Sequence, residues 1–266
     1  MHPNSRYFEL CHERVVVTGG GSGIGRGVAL ALAEAGCTVY VMGRRIEKLE
    51  ETSALKGEAG RIVPVRCDVR EWASVDEAFA VVEQEGPAPA LVHAASDITR
   101  MLFEQITPDI FAAAVQTILT GNFHTIQRWG QPLRAQGLEG VVISYTSASC
   151  QRETPAIAHA SASKAGVEAM TRTAASEWGR FNLRLNVIAP GLFPFEDTHH
   201  ASFWEGKGNR VYDRIPLGRA GTMDEIVGPT LYLLSRSARY VTGEIFTVDG
   251  GFRLMQWSGA RPEDFA

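Results

Sequence analysis

The sequence predicts a single α/β domain built on an open parallel sheet. Two observations carry this. Short runs rich in Val, Ile and Leu alternate with stretches long enough for crossover helices, the order that a parallel sheet with right-handed connections requires. The apolar runs are also mostly continuous, which is how strands covered on both faces read.

In chain order the strands are expected at 14–18 (RVVVT), 38–42 (TVYVM), 61–66 (RIVPVR), 90–93 (ALVH), 140–144 (GVVIS) and 183–189 (LRLNVIA). Helices are expected between them at 24–35, 45–58, 75–85, 108–134 and 154–178. The last third breaks the rhythm with a loop-rich 190–216, a helix at 224–234, and a strand at 244–248 closed by Asp249-Gly250-Gly251. A late excursion of this kind, at about 192–216, is where a substrate lid belongs. Phe193, Phe195, Phe203 and Trp204 make it aromatic, as a cover over a flat or apolar group would be.

With 266 residues and no linker or repeat, the chain reads as one domain, 1–266. It holds 26 Lys+Arg against 30 Asp+Glu, a net charge of −4 with no basic run, so it lacks the electrostatic footprint of a nucleic-acid or anionic-membrane binder. The first fourteen residues are polar and no stretch is apolar for long enough to span a bilayer, so a cytoplasmic protein is expected. Cys11, Cys37, Cys67 and Cys150 fit neither a disulfide framework nor metal spacing and read as thiols. The adjacent His199 and His200 cannot readily share one ion, so no metal is expected.

Directly after the first expected strand comes Thr18-Gly19-Gly20-Gly21-Ser22-Gly23-Ile24-Gly25. Glycines in a strand-to-helix turn let the backbone approach a pyrophosphate, whose charge meets the amides and dipole of the opening helix. The spacing is TGxxxGxG rather than GxGxxG.

That spacing resembles the short-chain dehydrogenase/reductase family, and the resemblance runs from about residue 12 to 252. Asp68-Val69 is similar to the family's adenine-contacting pair, and 161–167 (SASKAGV) to its active-site helix. The run 186–191 (NVIAPG), with Pro190 and Gly191, is similar to its sixth strand and the turn at the nicotinamide. Ile215-Pro216-Leu217-Gly218-Arg219, Val241-Thr242-Gly243-Glu244 and Val248-Asp249-Gly250-Gly251 follow its C-terminal pattern in order. The resemblance implies a Rossmann-type doubly wound sheet of about seven strands in the order 3-2-1-4-5-6-7. It also implies a homodimer or homotetramer formed through the two long helices, and a nicotinamide cofactor held by Gly19, Gly21, Ser22, Gly23, Ile24, Gly25, Asp68, Val69, Lys164, Pro190 and Gly191.

Charge indicates which nicotinamide. The second expected strand runs into Gly43-Arg44-Arg45, with no acid to bind ribose hydroxyls. Guanidinium groups bind phosphate bidentately and stack on purines, so Arg44 and Arg45 point to NADP(H).

The family's catalytic set of Asn, Ser, Tyr and Lys is half missing. Lys164 is present, but Ala160 stands where the YxxxK pattern requires Tyr, and Ile118 where it requires Asn, with Thr120 and Asn122 close by. Ser147 fills the serine position. Lys164 is one of only four lysines, with Lys48, Lys56 and Lys207. On a helix Ser161 and Ala160 project toward the same side as Lys164, so Ser161 is expected to join a relay with Lys164 and Ser147.

The stretch 160–191 resembles the 2,4-dienoyl-CoA reductases and related enoyl-CoA reductases, where the usual Tyr is likewise absent from its place in mitochondrial-type members. Those have a displaced Tyr just after the fifth strand; the aligned residue here is Ser149, with Tyr145 four residues earlier. Three readings follow. The first is an NADPH-dependent reductase of a conjugated C=C bond, of an enoyl thioester such as an acyl-CoA, using Lys164, Ser147, Ser149 and Ser161. The second is a carbonyl or imine reductase with His159 or Tyr145 as substitute acid. The third is a non-catalytic nucleotide-binding subunit. His93, where the family has an Asn-rich turn, borders the adenosine ribose or is structural.

Overall fold

A computed structural model describes residues 9–254 apart from 11, 97, 153 and 195–211. Phe195, His199, His200, Phe203 and Trp204, with most of the expected lid, therefore lie outside the described residues.

Seven strands form one parallel sheet in the order β3-β2-β1-β4-β5-β6-β7, as expected. They are β1 (Arg14–Thr18), β2 (Thr38–Gly43), β3 (Arg61–Arg66), β4 (Ala90–His93), β5 (Gly140–Tyr145), β6 (Leu183–Pro190) and β7 (Ile245–Val248). The helices are α1 (Gly23–Glu34), α2 (Ile46–Ala54), α3 (Trp72–Glu83), α4 (Pro108–Ala114), α5 (Gly121–Gln136), α6 (Ala158–Trp178) and α7 (Met223–Leu234).

Alternation along each strand splits the core in two. Val15, Val17, Val141, Ile143 and Tyr145 face α1 and α7, with Val28, Leu32, Ile226 and Leu233. Val16, Leu91 and Val142 face α3, α5 and α6, with Phe79, Trp129, Leu133 and Trp178. Both faces being covered explains the continuous apolar runs.

The helix expected over 108–134 is interrupted. α4 starts at the Thr107 cap, whose hydroxyl accepts from the Ile110 amide, and Pro108 suits its first position. A π-helical segment, Val115–Thr120, then widens the turn before α5. The widened turn carries Ile118. Gly137, at φ +65°, ends α5. Two other helices are shorter than expected: α2 stops at Ala54, and α6 starts at Ala158 after a turn.

The chain reverses between β1 and β4, which pair as Thr18↔His93. In open α/β sheets such a switch point opens a crevice beyond the carboxyl ends of the strands. Cys37 and Cys67 are buried and Cys150 half-buried, all as free thiols. No helix among the described residues is long and apolar enough to cross a membrane.

Candidate active site

The glycine loop lies at that crevice. Gly19 has φ +69°, and a Cβ there would stand 2.8 Å from the Ala94 carbonyl carbon. A Cβ on Gly25 would stand 2.4 Å from the Gly19 carbonyl oxygen. Both obstacles are backbone, so only glycine fits. Ser22 enters α1 extended and its side chain makes no capping bond, so no serine oxygen covers the helix end. Two residues not expected from sequence brace the loop: Thr52 donates to the Gly20 carbonyl at 2.9 Å, and Arg26 Nη2 to that of Gly21 at 2.5 Å. A helix N-terminus without a side-chain cap, beneath a loop whose Gly19 and Gly25 admit no Cβ, fits a pyrophosphate.

The other cofactor candidates are arranged around this loop. Arg44 and Arg45 are exposed just past β2. Asp68 is gripped by Arg70, Nε at 2.9 and 3.1 Å and Nη2 at 2.5 Å. That guanidinium, with the field of Arg44, holds the Asp68 carboxyl below its usual range. The Val69 carbonyl pairs with His124 Nδ1 at 3.1 Å, and Gly121 brings α5 close against the Val69 side chain. At the far side, β6 ends at buried Pro190, and the Gly191 amide donates to Val248 at 2.9 Å.

Lys164, on α6, is buried and donates from Nζ to the Thr146 carbonyl at 2.9 Å, just beyond β5. Burial pulls its pKa down to about 8. The Thr146 hydroxyl donates to Glu168 Oε1 at 2.9 Å, and burial pushes the Glu168 carboxyl up. Ser149 donates to Ser147 Oγ at 2.8 Å and Ser161 to Ser149 Oγ at 3.4 Å. The structure thus links three of the four candidate catalytic side chains into one hydroxyl chain. The relay differs from the expected one: Ser161 reaches Ser149, and Lys164 reaches the backbone.

Ile118 and Ala160 lie together in a buried apolar cluster with Ile157 and Val167, edged by Ile98 and Leu119. Asn122 is also buried, but its Nδ2 donates to Ser144 Oγ at 3.0 Å and so braces β5. Thr120 ends the π-helical segment, half-buried.

Tyr145 is excluded as the substitute acid. By the strand's alternation it faces α1 and α7, the side opposite α6, where its hydroxyl pairs with Thr230 at 2.5 Å. Burial raises its pKa. His159 is buried beside Ala160 with no hydrogen bond to Nδ1. Phe193, expected in the lid, is buried in the α1–α7 core against Gly221. His93 faces α5, with Nδ1 2.9 Å from Thr125 Oγ1. Among the described residues no group of three or more His, Cys, Asp or Glu could hold a metal ion.

Arg70, Arg26 and Thr52 were not singled out from the sequence, because each acts through a contact between segments distant in sequence or folded back by a turn. The only local signal was for Arg70, which directly follows the Asp68-Val69 pair.

The family model described as enoyl-(acyl carrier protein) reductase matches residues 19–253. The chain is 35% identical over 254 residues, 93% of its length and 98% of the relative's, to a Bacillus subtilis protein named probable 2,4-dienoyl-CoA reductase, (2E)-enoyl-CoA-producing. A short-chain dehydrogenase from Bacillus anthracis superposes with a TM-score of 0.84 at 32% identity, covering 92% of this chain and 98% of that one. A gluconate 5-dehydrogenase from Burkholderia cenocepacia, solved with NADP and tartrate, gives 0.84 at 30% identity, covering 93% and 97%. The sheet order, the glycine cradle and these matches together make the chain a member of the short-chain dehydrogenase/reductase family of oxidoreductases.

Proposed function

We propose that the protein is an NADPH-dependent reductase of a C=C bond conjugated to a thioester carbonyl. The observation that carries this reading is the chemistry beyond the end of β5: three linked serine hydroxyls and the buried Lys164 ammonium are present, while the two residues standing where the family resemblance calls for a phenol and an amide, Ala160 and Ile118, belong to a buried apolar cluster.

A bound reduced nicotinamide supplies a hydride. Its pyrophosphate would lie on Gly19–Gly25, its adenosine between Asp68, Val69 and Arg70, its 2′-phosphate against Arg44 and Arg45, and its ribose at Lys164 near Pro190 and Gly191. Carbonyl reduction places a full charge on one alkoxide oxygen, which a positioned acid must protonate. Conjugate reduction instead leaves a delocalised enolate, which needs hydrogen-bond donors at oxygen and receives its proton at carbon. Ser161 and Ser149 spend their protons along the chain, so Ser147 at its end supplies a donor of that kind, and the buried apolar cluster keeps water from that side of the site. The Bacillus subtilis relative's name supports this substrate class.

The test is NADPH oxidation with 2,4-hexadienoyl-CoA and crotonyl-CoA against 5-ketogluconate. Turnover confined to the thioesters supports the reading, and turnover confined to the ketone overturns it.

A second reading, carbonyl reduction with His159 as acid, is favoured by the unpaired, buried Nδ1 beside Ala160 and by the gluconate dehydrogenase among the relatives. His159→Gln separates the two, because only this reading needs a titratable imidazole.

Assembly with a second copy is part of the proposal. Phe111 of α4 and Phe123 of α5 are 43% and 45% exposed, and Ala162, Ala165 and Ala169 make an exposed small-residue line on α6. Such faces close against a copy of themselves.

A further inference from the structure

Thr146, the first residue past β5, is 1% exposed and has every polar atom engaged. Its amide donates to the Ile188 carbonyl of β6 at 2.9 Å. Its carbonyl accepts from Lys164 Nζ and its hydroxyl donates to Glu168 Oε1, each at 2.9 Å. Lys164 and Glu168 stand four residues apart on α6, so they share one helix face and close on Thr146 from the same side. The next residue is Ser147, whose Oγ accepts from the Ser149 amide at 3.2 Å and from the Ser149 hydroxyl at 2.8 Å. With both acceptor positions filled, the Ser147 proton is the one left to donate outside the hydroxyl chain.

Glu168 is the costly member of this grip. It is 7% exposed, yet among the described residues it forms no salt bridge. Burial pushes its carboxyl up, and the Thr146 hydroxyl, the field of Arg172 and the Cys150 thiol pull it back. Burying a carboxyl without a paired cation is unfavourable, and an apolar side chain of similar size would pack against Thr146 without that penalty. We propose that Glu168 is a positioning residue: acting through Thr146, it holds the Ser147 hydroxyl where it donates to the substrate oxygen. Lys164 completes the grip through the main chain, so one face of α6 places both the ammonium and the serine. The proposal rests on the reading of Ser147 as the donor, and it applies whether that oxygen belongs to a thioester or to a ketone.

Positioning through a neighbour has a signature that packing lacks. If Glu168 acts on Ser147, removing the Ser147 hydroxyl removes what Glu168 positions, and the two losses of rate overlap. If Glu168 only supports the fold, its loss adds to that of Ser147 and shows mainly in denaturation. A donor must be held to within about 0.5 Å of its productive place, so release of the turn lowers rate more than substrate affinity.

The test is a double-mutant cycle on the full-length protein with NADPH and whichever substrate, thioester or ketone, it reduces. Glu168→Leu should lower kcat about tenfold and leave KM within about twofold. Glu168→Gln, which keeps an acceptor for the Thr146 hydroxyl, should restore most of the rate. Thr146→Val, nearly isosteric, should reproduce the Glu168→Leu loss and stands in for it should that variant fail to fold. In a Ser147→Ala background, Glu168→Leu should cost less than about a further twofold. Three results overturn the proposal: wild-type kcat in Ser147→Ala or in Glu168→Leu, no rescue by Glu168→Gln, or a full second loss in the Ser147→Ala background. The identity of the substrate decides conjugate reduction separately from the cycle. If neither substrate turns over, crystal structures of wild type and Glu168→Leu decide: Ser147 Oγ should move by more than about 0.5 Å in the variant, and an unmoved hydroxyl contradicts the proposal.

Discussion

Ile118 and Ala160, which stand where the family resemblance calls for an amide and a phenol, pack into the same buried apolar cluster. Restoring one alone should therefore not restore a carbonyl reductase. Ala160 is 1% exposed, and Ala160→Tyr forces a ring into filled space, with an expected loss of about 1–3 kcal/mol. Urea denaturation should show that loss, and neither ketone nor enoyl-thioester reduction should rise.

Lys164→Met should abolish turnover, by at least about a hundredfold, without lowering stability at pH 7, since replacing a buried charge by an apolar side chain of similar length is often neutral or stabilising. The pH dependence has a definite sign. Lys164 titrates near 8 in the folded protein against an ordinary 10.5. Between those values the unfolded chain binds a proton that the folded chain does not, so the Lys164 contribution to stability rises with pH; below about 8 its burial cost is fully present. Denaturation from pH 7 to 10 should show wild type gaining on Lys164→Met as pH rises. Activity should move the other way, with kcat/KM falling as pH passes through about 8.

Arg44→Ala should raise the Kd for NADPH about tenfold, roughly 1.4 kcal/mol, and leave that for NADH within about twofold. Fluorescence titration of the two reduced cofactors measures the ratio. An equal loss for both would assign Arg44 a role other than reading a 2′-phosphate.

Gly25→Ala places a methyl group 2.4 Å from the Gly19 carbonyl oxygen, where no flexible side chain can give way. Destabilisation of about 1–3 kcal/mol is expected. Cofactor affinity, followed by the same titration, should fall more than about tenfold because the loop itself must shift.

Tyr145→Phe separates the two faces of the sheet. The Tyr145 hydroxyl bonds Thr230 beneath α7, so the variant should lose about 1 kcal/mol in denaturation and keep its rate within about twofold.

The fold was legible because its signals are local. Each strand is a short apolar run, and every expected strand is present within a residue or so of its place. The π-helical segment was not legible, since nothing in Val115–Thr120 distinguishes it from an α-helix by pattern. The same contrast holds at the site. The glycine loop, Asp68, Lys164 and Ser147 belong to compact motifs. Arg70 and Thr52 gain meaning only from contacts across turns and between elements. Tyr145 was misplaced as a candidate because its side was set by strand parity, and Ser144 and Thr146 on either side of it face or serve the α6 side instead. That His93 Nδ1 meets Thr125 is likewise a fact of packing between β4 and α5.

Reduction of a conjugated C=C bond can be read from a label: the protein is incubated with NADPH deuterated at C4 and a mixture of enoyl thioesters, enones and ketones, and the deuterium is then located by mass spectrometry. Deuterium is expected on the β or δ carbon of a thioester. Deuterium on a carbinol carbon would contradict it.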